Sequence, residues 1–373
     1  MAYSAMMKKA VGQVRGALAE AGIRRQDSRF AEHGEHAPAA DAPTVLVACS
    51  GGRDSMALAA VSHIVCAMLG VHCGAVIVDH RLQPGSGEVA RLAAARCKGL
   101  GLDPVIVRVI DVKAIESGRS VEDAARQARY EAIVEAASDL HASAVLLAHT
   151  RDDQAETVLM DVLTRSAGID ALAGMPSAFV RGDIRFIRPF LDVTRAQTTA
   201  ICRELGIEWW DDPTNGDAFE TDEPLPQHYP LRSRVRHTLM PYLSGFFNGD
   251  VPAHLAQAAR VASADRDFLE LETDDLYRQA VRFKVDGAAA VMRVDALFEA
   301  HSAIRRRTIA RVLARLDVPF SLRHVLSIEA LVTDWHGQGA VSLPSGYSVN
   351  RQKHVIRVCK NGFYANCGCT GQD

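Results

Sequence analysis

The sequence predicts an α/β fold, a doubly wound parallel sheet with a smaller, mostly helical C-terminal domain. Three observations lead there. From Thr44 onward, short apolar and β-branched runs alternate with helical patterns, and such runs are strands buried on both faces. A paired-glycine turn and an acidic cluster each follow one of these runs directly, at the strand ends where open parallel sheets bind ligands. After Gly168 the alternation loosens and long helical stretches take over.

In chain order, Met1–Glu20 reads as an amphipathic helix with Val11, Val14 and Leu18 at helical spacing. It carries Lys8, Lys9 and Arg15 but lacks an apolar signal core followed by a cleavage site, so a cytoplasmic enzyme is expected. Strands are expected at Thr44–Cys49, Gly74–Val78, Val105–Val109 and Ala144–Ala148. Helices are expected over Ser86–Leu100 and Ser120–Leu140, and another after Arg151. Arg181–Leu191 suits a hairpin or extended segment, and Arg195–Leu205 a helix. The stretch Asp211–Asp217 is turn-rich, and the acidic, proline-bearing Asp217–Pro230 suits a loop. Helical patterns run from about Pro252 to Val281 and over Ala303–Leu316, and Val341–Val358 alternates like two short strands around Tyr347. The expected divisions are a helix and linker over 1–43, a catalytic domain over 44–245, a helical domain over 246–358 and a cysteine-containing tail over 359–373.

With 373 residues the chain can hold two domains and a sizeable core. A net charge of −3 argues against indiscriminate coating of nucleic acid, yet leaves room for a local basic face. No apolar run is long enough to cross a bilayer. Cys49, Cys66, Cys73, Cys97 and Cys202 stand singly in apolar contexts, as free thiols of a reducing compartment do. Cys359, Cys367 and Cys369 cluster near the end, but not at the spacing of a standard zinc finger or ribbon.

The first expected strand runs into Ser50-Gly51-Gly52-Arg53-Asp54-Ser55, followed by an apolar helix. Paired glycines let backbone amides and the helix N-terminus converge on an anion, and Ser50 and Ser55 add hydroxyls. The lysine of a Walker loop is missing and the spacing is shorter. Because γ-phosphoryl transfer normally recruits that lysine, a different cleavage of ATP is suggested. The Ser-Gly-Gly-x-Asp-Ser string resembles the PP-loop of the N-type ATP pyrophosphatases, whose fold is adenine nucleotide α-hydrolase-like. The resemblance implies that the loop holds pyrophosphate while a substrate oxygen attacks the α-phosphate. It also implies that Asp54 helps hold Mg²⁺ with the β and γ phosphates.

A second motif, His149-Thr150-Arg151-Asp152-Asp153-Gln154-Ala155-Glu156-Thr157, follows the fourth strand. On a helix starting near Arg151, Asp153 and Glu156 share a face. Two carboxylates there suit a cationic amine, and one can later accept its proton. Acids also favour a helix N-terminus, and Thr150 with Asp153 loosely fits a capping box, so capping and catalysis are compatible readings. The segment closely resembles the His-x-x-Asp-Asp-Gln-x-Glu-Thr motif of the tRNA(Ile)-lysidine synthetase family. Further matches follow in order: Val78-Asp79-His80, Ala125–Tyr130, Leu163–Gly168, Leu172–Met175, Arg188–Leu191, Asp212–Asn215 and Arg232–Arg236. The resemblance spans 44–243 and is diffuse beyond. Departures are Ser166-Ala167 for Gly-Ser, Ser233 for Asn, and Thr150 where a second histidine is frequent.

That resemblance implies ligation of L-lysine to C2 of the wobble cytidine (C34) of tRNA(Ile) with a CAU anticodon, through an adenylated cytidine, releasing AMP and pyrophosphate. ATP and Mg²⁺ are the implied cofactors, with a monomer or homodimer and no membrane partner. Ser50, Gly51, Gly52, Arg53, Asp54, Ser55, Asp79 and His80 are the implied nucleotide-binding residues. Asp54, Asp153, Glu156 and Arg234 form the implied catalytic set. Arg126, Arg129, His149, Asp152, Arg232 and Arg236 are substrate-binding candidates. Trp209 and Trp210 are candidates for meeting an RNA base, and Arg305, Arg306, Arg307, Arg311 and Arg315 for a tRNA-phosphate footprint. Competing readings are another PP-loop tRNA enzyme such as a cytidine 2-thiolase, disfavoured by the lack of Cys-x-x-Cys, and a non-catalytic nucleotide-binding protein.

Overall fold

The computed structural model describes residues 3–32, 36–81, 85–110, 121–164, 168–215 and 224–360. Two compact units result, Met1–Ser263 and Ala264–Asp373. In the first, β1 (Thr44–Ala48), β2 (His72–Asp79), β3 (Val105–Val109), β4 (Ala144–Leu146), β5 (Ala178–Arg181) and β6 (Ile184–Ile187) form one sheet in the order β3-β2-β1-β4-β6-β5. β1 pairs in parallel with β2 on one side and β4 on the other, and only the edge strand β5 runs antiparallel, to β6. The Arg181–Leu191 region is therefore a hairpin partner, with its first strand starting earlier, at Ala178.

Alternation along the strands explains the two layers. Val45 and Val47 face a core built with α1 (Ala5–Glu20), α2 (Arg53–Leu69), α3 (Ser86–Gly99) and α7 (Arg195–Glu204), while Leu46 faces Tyr130, Ile133, Ala136 and Ala137 of α4 (Val121–Asp139). Successive strand side chains point to opposite faces, so the buried centre of β1, Val45–Val47, needs an apolar residue at every position. The N-terminal helix is part of this core: Met7, Ala10, Val14 and Leu18 are buried. Ser4 caps it, its Oγ accepting from the Met7 amide at 3.2 Å.

Between β1 and β4 the chain's progression across the sheet reverses, since β2 and β3 lie to one side of β1 and β4 and β6 to the other. This switch point leaves a crevice beyond the strand carboxyl ends. Two helices start there, α2 after β1 and α5 (Arg151–Thr164) after β4. A third stretch is continuous from α8 (Leu231–Arg234) through a π-helical turn, Val235–Leu239, to α9 (Met240–Phe247). Its wider turn is marked by the Met240 amide donating to Val235 O.

The division between units falls inside α10 (Val251–Ala280) rather than near 245. The second unit carries α12 (Ser302–Arg315), the helix expected over Ala303–Leu316, together with α11 (Val294–Glu299) and α13 (Leu322–Thr333), which were not expected. It also contains a five-stranded antiparallel sheet, β7-β8-β11-β10-β9, which adds to the expected mostly helical domain. β9 (Val341–Leu343), β10 (Tyr347–Gln352) and β11 (Val355–Lys360) occupy the region read as two strands. β7 (Val281–Val285) and β8 (Ala288–Arg293) had no expectation at all. Their run Ala288-Ala289-Ala290 has low strand propensity, so the pairing with β11 decides it. Cys359 is not in a tail but buried on β11, whereas Cys367, Cys369 and residues 217–223 of the acidic stretch lie outside the described residues.

The arginine-rich helix is also corrected. Arg305 is 8% exposed and donates to Glu329 and to the carbonyls of Leu297 and Ala300. Arg306 pairs with Glu329, Arg307 and Arg311 with Glu270, and Arg315 lies 4.6 Å over the Phe283 ring. These cations are engaged within the unit, by Glu270, Glu329, backbone carbonyls and the Phe283 ring.

Gly74 marks the tightest strand contact: a Cβ there would come within 2.6 Å of Pro104 O and 2.8 Å of Leu46 Cδ2. Gly74→Ala should therefore lower stability by about 1–3 kcal/mol, the usual effect of overpacking. Urea unfolding checks this; a midpoint equal to wild type would show that β2 and β3 separate at no cost.

Candidate active site

The phosphate loop is braced by its own side chains. Ser55 Oγ donates to Gly52 O at 2.8 Å and accepts from the Ser50 amide at 3.2 Å. Ser55 is thus a positioning residue; its hydroxyl proton is already committed, unlike the anion donor expected from the motif. The Trp210 amide closes the loop from outside by donating to Gly51 O at 2.9 Å. Trp209 Nε1 donates to Asp211 at 2.9 Å, so both tryptophans serve the loop and its flank. Gly51 has φ +80°, and a Cβ there would stand 2.9 Å from Ala93 Cβ, so both conformation and space demand glycine. No side chain caps α2, whose first amides stay available to an anion. Arg53 Nε, buried beside them, has no hydrogen-bond partner among the described residues.

Across the crevice, Thr150 and Asp153 form a reciprocal cap. The Thr150 amide and hydroxyl donate to Asp153 Oδ2, both at 2.8 Å, and the Asp153 amide donates back to Thr150 Oγ1 at 3.3 Å. Capping uses one oxygen of Asp153. The other, Oδ1, accepts from Arg195 at 2.8 Å and faces Arg236 at 3.3 Å. Glu156, 2% exposed, accepts from Arg236 Nε at 2.8 Å and from Arg195 at 3.2 Å. Arg195 Nε also lies 3.7 Å from Asp54 Oδ2, so one guanidinium joins the phosphate loop to the acidic helix. Asp54 Oδ1 accepts from the Thr198 hydroxyl. Asp152 turns away from this group and accepts from the Arg195 backbone amide at 2.9 Å, pinning the start of α7 to α5.

The charge states follow from these contacts. Burial alone would raise the Asp153 carboxyl, but Arg195, the Thr150 amide and Arg236 outweigh it and hold the group at about 2. Burial raises Asp54 despite Arg195 and Thr198. Arg195 is itself desolvated, yet its carboxylates keep it firmly protonated. His149 is pushed down to about 3 by burial and then by Arg188, whose Nε donates to its Nδ1 at 3.2 Å. It is a neutral acceptor in the wall of the site. His80 is likewise lowered to about 4 by burial and Arg129, and accepts from Arg129 Nε at 2.9 Å.

Of the residues picked out by motif, Asp54, Asp153, Glu156 and Arg236 thus converge. Arg232 reaches the same helix differently, donating to Thr157 at 3.0 Å. Arg234, on the same stretch, has no partner among the described residues. Asp79, His80 and Arg129 form a separate group at the end of β2, where Asp79 accepts from the Arg81 amide at 3.0 Å. Arg126 lies 5.7 Å from the Tyr130 ring centre, and its charge is felt by both Arg129 and His149. Ser233 is buried and donates to Thr214 O at 2.9 Å, and Ser166 and Ala167 fall outside the described residues.

Arg195 is the residue that sequence reasoning missed. A signal was present. Thr194 and Gln197 form a full capping box that fixes the start of α7, and Arg195 is then a cation in the first helical turn, where the macrodipole disfavours it.

The chain matches the PP-loop domain family over residues 24–243. It is 52% identical to a tRNA(Ile)-lysidine synthase of Bifidobacterium longum subsp. infantis, over 98% of this chain and 100% of that protein. The chain belongs to the tRNA(Ile)-lysidine synthase family. Family members from Salinispora tropica and Streptomyces coelicolor are 43% and 40% identical, over 84% and 85% of the chain and 89% and 86% of their own lengths. A U34-tRNA thiolase of Methanococcus maripaludis shares the fold, with a TM-score of 0.50 at 13% identity, over 69% of this chain and 78% of that one. Among the described residues, no helix is long and apolar enough to cross a membrane.

Two outcomes are expected from these contacts. Arg195→Gln strands buried carboxylates and should cost about 3–5 kcal/mol in urea unfolding, with partial recovery in Arg195→Lys; a loss below about 1 kcal/mol would show that Arg236 alone suffices. His149, neutral when folded, binds its proton more readily unfolded, so its contribution to stability falls as pH drops from about 6.5 toward about 3. His149→Gln should flatten the pH dependence of stability in that window, and an unchanged slope would contradict a neutral His149.

Proposed function

We propose that this chain is an ATP-dependent ligase that joins L-lysine to C2 of the wobble cytidine of tRNA(Ile) with a CAU anticodon. The cytidine is first adenylated with release of pyrophosphate, and AMP leaves as the amine adds. One observation carries the reading: Arg195 bridges Asp54 of the phosphate loop and Asp153 and Glu156 of α5. A nucleotide site and an amine site are thereby held side by side at one sheet edge.

The cytidine C2 oxygen is a poor leaving group, and its adenylation supplies a good one. The uncapped amides at the start of α2 suit the departing pyrophosphate. Asp54 fits Mg²⁺ in its donor chemistry, since Thr198 takes only Oδ1 and a hard carboxylate oxygen remains for the ion. When bound, the ion would offset the charge on the β and γ phosphates. Arg195 and Arg236 are preorganised cations beside the place where charge shifts on the α-phosphate.

Free lysine enters with an ε-ammonium of pKa about 10.4. Asp153 and Glu156 are the carboxylates to hold it. Asp153 at about 2 is a strong anion and a weak base while Arg195 is on it. Movement of Arg195 toward the nucleotide would remove its chief counter-charge and raise its proton affinity. Adenylation and amine activation are then coupled through one guanidinium. Arg234, with no ion-pair partner among the described residues, and Arg232 and Arg236 are the proposed contacts to the RNA.

The test is transfer of radiolabelled lysine to an isoleucine tRNA transcript with ATP and Mg²⁺. Wild type should label the transcript, and Asp153→Asn should slow labelling by at least about 10²-fold. Full-rate labelling by Asp153→Asn would overturn the assignment of the base. AMP release without labelling, with another nucleophile accepted, would overturn lysine as substrate.

A further inference from the structure

The helical stretch that supplies Arg236 continues into α9, whose sequence Met-Pro-Tyr-Leu-Ser-Gly-Phe-Phe contains no charged residue. Three aromatic side chains on it face outward: Tyr242 is 65% exposed, Phe246 70% and Phe247 67%. Among the described residues, their ring contacts are with one another. Tyr242 and Phe246, four residues apart, stack with centroids 6.1 Å apart and planes at 29°, and Phe247 meets Phe246 edge-on at 5.2 Å. Exposure of three large rings together is costly for a helix that needs only one apolar face.

The patch is fixed relative to the active site. At one end, Arg236 is bound to Asp153 and Glu156. At the other, Asn248 ends α9 in the left-handed conformation, and Asp250 pairs with Arg151 at 3.0 Å. Arg151 is the first residue of α5, two before Asp153. Both ends of the aromatic helix are thus tied to the N-terminus of the acidic helix. At about 1.5 Å per residue, Tyr242 lies only ~9 Å along the helix from Arg236. Arg234, upstream on the same stretch and without an ion-pair partner among the described residues, offers a cation to a phosphate.

We infer that Tyr242, Phe246 and Phe247 form a stacking platform for the unpaired nucleotides flanking the target cytidine of the RNA substrate. The inference rests on the proposed function, in which a base in a single-stranded loop enters the crevice. Drawing that base inward separates it from its neighbours at a cost of a few kcal/mol. Exposed rings beside the entry return part of this by taking the neighbours' faces, without regard to sequence. The partners are continuous with the site and complementary in kind, with a cation for the backbone and uncharged aromatic faces for the bases.

The experiment is filter binding of an isoleucine tRNA transcript, without ATP or lysine, to wild type, Tyr242→Ala/Phe246→Ala and Phe246→Trp. A second transcript lacks the bases on either side of the target cytidine. Stacking is worth about 1–3 kcal/mol per base, so the double variant should bind the intact transcript at least about tenfold more weakly. Phe246→Trp should stay within about threefold of wild type. On the abasic transcript, wild type and double variant should bind alike, an equality that a merely structural role would not produce. Thermal melts of each variant verify the fold.

Unchanged affinity in the double variant, or the same loss on both transcripts, would overturn the platform. So would sedimentation showing that the substitutions split a dimer while RNA affinity per chain is kept, because a second copy would then cover the patch. A wild type that binds this transcript no better than polyadenylate would instead remove the functional reading beneath it.

Discussion

A guanidinium buried among carboxylates is stable only while its partners stay in place, because neither charge can be left alone out of water. Arg195 is in that position, between Asp54, Asp153 and Glu156. Three elements distant in sequence, the phosphate loop, the acidic helix and α7, are fixed by this one side chain. Arg236 adds a fourth. The same contacts that make the crevice rigid set its electrostatics, since they hold Asp153 ionised and leave two cations beside the phosphate loop.

The scaffold makes this meeting possible. Parallel β1 and β4 are neighbours, and the chain leaves each at the same edge of the sheet. A sharp turn after β1 gives bare amides, and a capped helix after β4 gives carboxylates. Small residues keep the approach close, as at Gly51 against Ala93. Side chains that look chemical in isolation often serve this geometry: Ser55 braces the loop, Asp152 anchors α7, and His149 is a neutral acceptor for Arg188.

The second unit shows the opposite use of charge. Its arginines are spent inward on Glu329, Glu270 and backbone carbonyls around an apolar core of Leu297, Ile309, Leu313, Ile328 and Ile356. Helical spacing identifies which residues share a face, but not whether an acid waits opposite. Glu270 lies on α10 and Glu329 on α13, each far from α12 in sequence.

Much of the catalytic unit was nonetheless readable. Strands buried on both faces need unbroken apolar runs, so β1, β2, β3 and β4 and the helices between them follow from local pattern. The motifs at Ser50–Ser55 and His149–Thr157 were legible because a tight turn and a helix cap impose residue types at fixed spacing. What pattern could not reach was pairing between distant segments. The alanine-rich β8 becomes a strand because β11 lies beside it. Tyr242, Phe246 and Phe247 look like core residues by composition, and only the packed fold leaves them outside. Arg195 carries a local oddity, a cation at a helix start, whose reason appears only when the acids arrive. The sequence by itself determined the sheet, the loop and the acidic helix, because these rest on periodicity and short-range geometry. Tertiary structure decided which charges meet, because an ion pair depends on distance in space and not on spacing along the chain.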